Sequence, residues 1–129
     1  MKYLTVKDVL LLHSVQIDEF GGSHGLRDLG LLESAVMRPQ TTFDGNDLYK
    51  TIFDKGAALV YSLLMNHQLV DGNKRTAMFS VMTFLELNGY KFIAKEEEVV
   101  EYALYIENSQ PEIEGISAWL KNHSKKSTK

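Results

Sequence analysis

An all-α fold, a compact bundle of about six helices in one domain spanning residues 1–129, is what the sequence predicts. Three observations point to it. Apolar residues recur at helical spacing almost throughout. Two segments are apolar nearly all round, which places them mid-bundle. Chain breakers fall between the periodic segments. The first helix opens at Thr5-Val6-Lys7-Asp8, a capping box with Asp8 in the usual place of Glu. Val6, Val9, Leu10, His13, Ile17 and Phe20 form its stripe, and Gly21-Gly22 ends it. A glycine-rich loop runs through Gly25. Asp28 caps a short second helix carrying Leu31, Leu32, Ala35 and Val36, which Pro39 stops.

Residues 40–45 read as a loop, and a third helix is expected from near Asn46 to about Asn66. Its second half, Ala57 to Met65, is apolar on nearly every side. A fourth helix is expected from near Asn73 to Asn88-Gly89, carrying Ala77, Met78, Phe79, Val81, Met82, Phe84 and Leu85. These two form the predicted central pair, with His67–Gly72 as their link. Tyr90–Ala94 reads as a short extended piece. Helices near Glu96–Asn108 and Pro111–His123 complete the bundle. Residues 121–129, with four lysines, read as a frayed basic tail.

Composition narrows the function. The chain is 44% hydrophobic and 10% aromatic, enough to bury a core. A net charge of −3 argues against direct nucleic-acid binding, which calls for a basic surface. The absence of cysteine rules out disulfides and thiolate metal sites and fits a reducing, cytoplasmic location. The N-terminus lacks the pattern of a signal peptide, and no apolar run is long enough for a membrane span.

Chemistry concentrates at His67-Gln68-Leu69-Val70-Asp71-Gly72-Asn73-Lys74-Arg75. Asp-Gly is a turn signal and Asn an N-cap, so Asp71-Gly72-Asn73 can simply start a helix. Asp44-Gly45-Asn46 repeats the tripeptide, and there the next residue is Asp47, an acid that suits the first turn of a helix. After Asn73 come two cations instead. Each placement of a cation against the helix dipole costs about 0.3–1 kcal/mol when exposed. A rule broken twice at one junction points to an anion, and two cations beside a helix N-terminus suit a polyphosphate such as ATP. Asp71 is a hard oxygen ligand for Mg2+ between phosphates. Gly72 lets backbone approach a phosphate closely. Asn73 can cap the helix and donate its amide to a phosphate oxygen. His67 is the one imidazole in the segment, the side-chain type suited to taking a proton from an attacking hydroxyl.

These residues resemble the Fic/Doc signature, in which a histidine is followed by Phe, an acid, Gly-Asn and Arg. The Doc, or death-on-curing, branch is the nearer match. Fic enzymes usually carry Gly after the Asn and a second Arg three residues beyond the first, where this chain has Lys74 and Met78. Gly21-Gly22, Gly25-Leu26-Arg27-Asp28, Gly30 to Ala35, Arg38-Pro39, Asn66 and Phe84 to Gly89 extend the resemblance over residues 5–120. It implies a six-helix Fic/Doc fold, His67 as general base, Asp71 as the Mg2+-binding acid, and Gly72, Asn73, Lys74 and Arg75 as the phosphate anchor. It implies a toxin kinase that phosphorylates a threonine of elongation factor Tu and arrests translation. It also implies a Phd-like antitoxin as partner. AMP transfer of the Fic type is the alternative activity, and a catalytically weak antitoxin-binding module is the non-enzymatic alternative.

Two residues depart from the family pattern. Leu69 stands at the Phe position and is expected to anchor the loop with looser packing. Gln68 stands where many relatives have Pro, so a less rigid loop is expected. Residues 38–44 correspond to the Fic flap that aligns a target chain by strand-like pairing. His13, on the apolar stripe, is expected to be a core histidine with a local partner. His24 and His123 are expected at the surface, and the four histidines show no zinc-ligand spacing.

Overall fold

The computed structural model describes residues 1–127. Six helices form one bundle: α1 (Val6–Phe20), α2 (Leu29–Met37), α3 (Ile52–Met65), α4 (Asn73–Leu87), α5 (Glu96–Ser109) and α6 (Ile113–Asn122). The capping box at the start of α1 is present, with Thr5 and Asp8 each bonding the other's backbone. Asp28 caps α2 through the Leu31 amide. A 3-10 turn at Arg38–Gln40, with Pro39 in its first turn, follows α2 directly.

The centre of the bundle is α3. Every residue from Lys55 to Val60 is buried, as are Ser62, Leu63 and Leu64. It packs chiefly on α4 and α6 and also meets α2 and α5. α4 buries Ala77, Val81, Phe84 and Leu85 against this centre. Its Phe79 faces outward, so α4 is central on one side and open on the other. That open side forms a wall of the site described below.

Three expectations are corrected. The third helix does not start near Asn46. It starts at Ile52, where Thr51 and Asp54 form a second capping box. Asp44-Gly45-Asn46 belongs instead to a hairpin between β1 (Thr42–Phe43) and β2 (Asn46–Asp47), with Phe43 opposite Asn46. Asp44 and Gly45 both have positive φ, 52° and 80°. That is the pairing a two-residue type I′ hairpin turn demands, and Asp-Gly supplies it.

The second correction concerns the tail. Residues 124–126 are not frayed: β4 (Ser124–Lys126) pairs antiparallel with β3 (Tyr90–Phe92), and the Ser127 amide donates to Gly89. The remainder of the predicted tail, residues 128–129, lies outside the described residues. His123 is accordingly half-buried rather than a free surface group. It stacks on Trp119 at 4.0 Å and reaches Glu98 at 3.2 Å. The Lys95 amide, and then His123, hold the Glu98 carboxyl below its ordinary range. The third correction is His13, which is buried as expected but bonds a residue far along the chain. No helix among the described residues is long and apolar enough to cross a membrane.

Candidate active site

The link between α3 and α4 is held by its own side chains. Asn66 ends α3 and donates its amide to the Leu31 carbonyl at 2.9 Å, tying this end to α2. His67 follows with φ at +48°, a left-handed conformation that costs a non-glycine residue about 1–3 kcal/mol. This turn leaves the His67 side chain exposed while Gln68 and Leu69 turn inward. Leu69 is 1% exposed and so does anchor the loop.

The bonds of Gln68 argue against a looser loop. It is wholly buried, and its amide donates to the Leu63 carbonyl at 2.9 Å and to Asn73 Oδ1 at 3.3 Å. Where proline would stiffen the chain by restricting φ, Gln68 does so by cross-linking the end of α3 to the start of α4. Asn73 completes the knot. Its Oδ1 accepts from the Leu69 amide at 3.1 Å, and its Nδ2 donates to the Leu69 carbonyl at 2.9 Å. Asn73 is therefore the first helical residue and a staple on the loop. The N-cap is Gly72, which offers no side chain.

The glycine-rich loop after α1 clamps the same segment from outside. The Arg27 and Asp28 amides both donate to the Gln68 carbonyl, at 2.8 and 3.1 Å. The Val70 amide donates to the Gly25 carbonyl at 3.1 Å, and Leu26 and Leu69 pair as a one-residue antiparallel bridge. Asp71 is fixed on every oxygen. Its Oδ1 accepts from the Gly72 amide at 2.9 Å, its Oδ2 from the Ser23 amide at 3.1 Å, and its carbonyl lies 2.8 Å from His13 Nε2. Gly22 permits this approach, because a Cβ there would stand 2.7 Å from Asp71 Oδ2. The structure gives Gly72 a reason of its own, beside any contact with phosphate. Its φ is +76°, and a Cβ would point at Ile17 and His13 of α1.

Beyond Gly72 the amides of Asn73, Lys74 and Arg75 have no backbone acceptor among the described residues. They are the free N–H groups of a helix N-terminus. The two cations stand on opposite sides of that end. Lys74 Nζ reaches Glu107 of α5 at 3.2 Å, and the Arg75 guanidinium lies 4.4 Å from the centre of the Phe20 ring at the end of α1. Each partner offsets part of the cost of a cation at this position.

His67, Asp71 and the start of α4 open on one cleft of about 680 Å³, within the range of small-molecule sites. His67, Asp71, Gly72, Asn73, Lys74 and Arg75 line its polar end. Met78, Phe79 and Met82 of α4 face Val99, Val100 and Ala103 of α5 along its apolar end. His67 has no hydrogen-bond partner among the described residues, so both ring nitrogens are available. The hairpin of residues 42–47 does not line the cleft; it stands apart with Phe43 76% exposed.

Two residues beside this cleft, Glu107 and Ser23, are not evident as such in the sequence. Glu107 ends a stripe with Val100 and Ala103 at helical spacing, and an acid on an apolar stripe was the signal available. Ser23 contributes only a backbone amide, which no residue type announces.

Comparison with known proteins gives the family. A model of the Fic/DOC family matches residues 3–85. The chain is 50% identical over 93 residues to Toxin Doc of Mycolicibacterium smegmatis, covering 72% of this chain and 69% of that protein. It is 28% identical over 97 residues to Protein kinase doc of Escherichia phage P1, covering 75% of this chain and 76% of that protein. The histidine loop, the free helix end beyond it and these relatives together make this chain a member of the Fic/Doc family, in its Doc branch.

Proposed function

We propose that this chain is the toxin of a toxin–antitoxin pair and acts as a protein kinase, moving a phosphate from ATP to a threonine or serine hydroxyl of a target protein. Elongation factor Tu is the proposed target and a Phd-like protein the proposed antitoxin. The observation that carries the reading is the cleft itself, where an unpartnered histidine, a fixed carboxylate and a free helix N-terminus line one end. The printed name of the phage relative, Protein kinase doc, supports the choice of reaction.

The residues present fit the nucleotide. Three free amides, Lys74 and Arg75 offer donors to phosphate oxygens, and the apolar end has room for a flat base. Among the described residues no cluster of three or more metal-binding side chains exists. A dedicated metal cage is therefore not the fit, whereas Mg2+ held by one carboxylate together with phosphates is. Asp71 would supply that carboxylate. When bound, Mg2+–ATP supplies the transferable phosphate and neutralises its charge.

The chain's own groups divide the remaining work. The amides at the start of α4 hold anionic oxygens and need no reorganisation to do so. Asn73 keeps its backbone amide and one side-chain proton for the same use. Lys74 stands where Fic enzymes place glycine, so a long side chain occupies the space through which backbone would be approached. His67, held outward by its left-handed backbone, accepts the proton of the attacking hydroxyl. The hairpin at 42–47 offers exposed strand edges on which an extended target segment could pair.

Purified protein incubated with elongation factor Tu, ATP and Mg2+ should give a target whose intact mass rises by one phosphate. An AMP-sized increase would establish AMP transfer and overturn the kinase reading. Induced expression without antitoxin should arrest bacterial growth for the wild type but not for His67→Ala. No arrest by either protein points to the binding-module alternative.

A further inference from the structure

His13 sits in the middle of α1, 58 residues from the loop, and is 4% exposed. It does not line the cleft. Its Nε2 nevertheless lies 2.8 Å from the Asp71 carbonyl, and the ring makes no other hydrogen bond among the described residues. A carbonyl oxygen only accepts, so Nε2 carries the proton and donates it.

The Asp71–Gly72 peptide is one planar unit, with its carbonyl and its N–H pointing to opposite sides. The N–H donates to Asp71 Oδ1 at 2.9 Å. The unit is thus held at both ends, by His13 on the carbonyl and by the carboxylate on the amide. Gly72 makes that hold necessary. A peptide plane next to glycine turns over at little steric cost, because glycine accepts φ of either sign. Turning it over would withdraw the Gly72 N–H from Asp71 Oδ1 and leave the carboxylate fixed only by the Ser23 amide at 3.1 Å.

We infer that His13 is a positioning residue: its Nε2–H locks the Asp71–Gly72 peptide and thereby orients the Asp71 carboxylate and the first free amides of α4. The catalytic consequence rests on the kinase reading, but the lock itself does not. Outer groups that orient a metal-binding side chain typically govern about 10–100-fold in affinity or activity.

The test compares His13→Met with His13→Gln. The two side chains differ little in shape, and only Gln carries an N–H donor. In the ligand-free protein, amide exchange at Gly72 read by NMR should speed up by roughly tenfold or more in His13→Met, with His13→Gln close to wild type. The Mg2+ concentration for half-maximal phosphate transfer should rise in the same order, by about tenfold or more in His13→Met. Equal Gly72 exchange in all three proteins would overturn the lock. The wild-type imidazole provides a check without substitution, and a proton found on Nδ1 and not on Nε2 would equally overturn it. If the wild type transfers no phosphate, the kinase reading fails while the exchange rates still decide the role of His13.

Discussion

The tripeptide Asp-Gly-Asn occurs twice and folds two ways. At Asp44-Gly45-Asn46 it turns a hairpin in solvent, and Asn46 passes into a strand. At Asp71-Gly72-Asn73 it ends a loop anchored in the core by Gln68 and Leu69, and Asn73 opens a helix. Local preference is the same in both, and glycine is left-handed in both, at 80° and 76°. The surroundings decide the outcome. Residues 42–47 are exposed throughout, and the Asn46 side chain makes one bond of 3.3 Å to the Asp44 carbonyl. The second copy is preceded by Gln68 and Leu69, which tertiary packing pulls into the core, and Asn73 follows them inward. A turn signal states that the chain bends; its neighbours determine what the bend is attached to.

The asparagines should show the largest difference. Asn73→Ala removes both bonds to the Leu69 backbone and one from Gln68. Leaving partly buried backbone groups without partners should cost about 2–4 kcal/mol of stability. Asn46→Ala gives up one exposed, long contact and should stay within about 0.5 kcal/mol of wild type. Urea denaturation of the two variants measures both. Equal losses would show that the loop does not depend on the staple.

The glycines should separate less. Both need positive φ, so Gly→Ala is strained at either position and should cost about 1 kcal/mol from backbone alone. At Gly45 the added methyl meets nothing within 4 Å. At Gly72 it meets Ile17 Cδ1 at 3.3 Å and the His13 ring at 3.6 Å. Gly72→Ala should therefore cost up to about 1 kcal/mol more, since the Ile17 end can shift while the His13 ring is held by its bond to Asp71. Thermal melts of both variants check the difference, which vanishes if α1 yields freely.

The same contrast explains what was legible in the sequence. Helices α1, α2, α4, α5 and α6 announce themselves by periodicity and caps, and their ends fall within a residue or two of expectation. The start of α3 expected near Asn46 falls too early because Asp-Gly-Asn there turns a hairpin, and Thr51-x-x-Asp54 carries the stronger cap signal five residues later. The strand at Ser124–Lys126 was unreadable because its pairing with Tyr90–Phe92 is a long-range contact, and its lysines look like a tail. Within the site, the meeting of His67, Asp71 and the helix end at one cleft was legible because they are neighbours in the sequence. The inward course of Gln68 and the reach of His13 to Asp71 were not, because tertiary packing sets both.

The residues after the tripeptides should differ least in stability and most in function. Asp47 and Lys74 each pair with a group on a neighbouring element. Asp47 Oδ2 lies 3.2 Å from Nζ of Lys55, a lysine 2% exposed whose other bond is to the Pro39 carbonyl at 3.3 Å. Removing a carboxylate from a buried ammonium costs more than removing half of a surface pair. Because Asp47 itself is more than half exposed, Asp47→Ala should lose only about 1 kcal/mol. Lys74 pairs with Glu107 but stands against the helix dipole. Losing the pair leaves Glu107, only 17% exposed, without its partner and costs about 1 kcal/mol, and relieving the dipole returns about 0.3–1 kcal/mol. Lys74→Ala should thus melt within a degree or two of wild type, in line with a net change below about 0.5 kcal/mol. Its phosphate transfer should nevertheless fall, by about tenfold or more if the ammonium contacts a phosphate. Undiminished transfer in a protein with an unchanged melt would remove Lys74 from the proposed phosphate anchor and leave its pairing with Glu107.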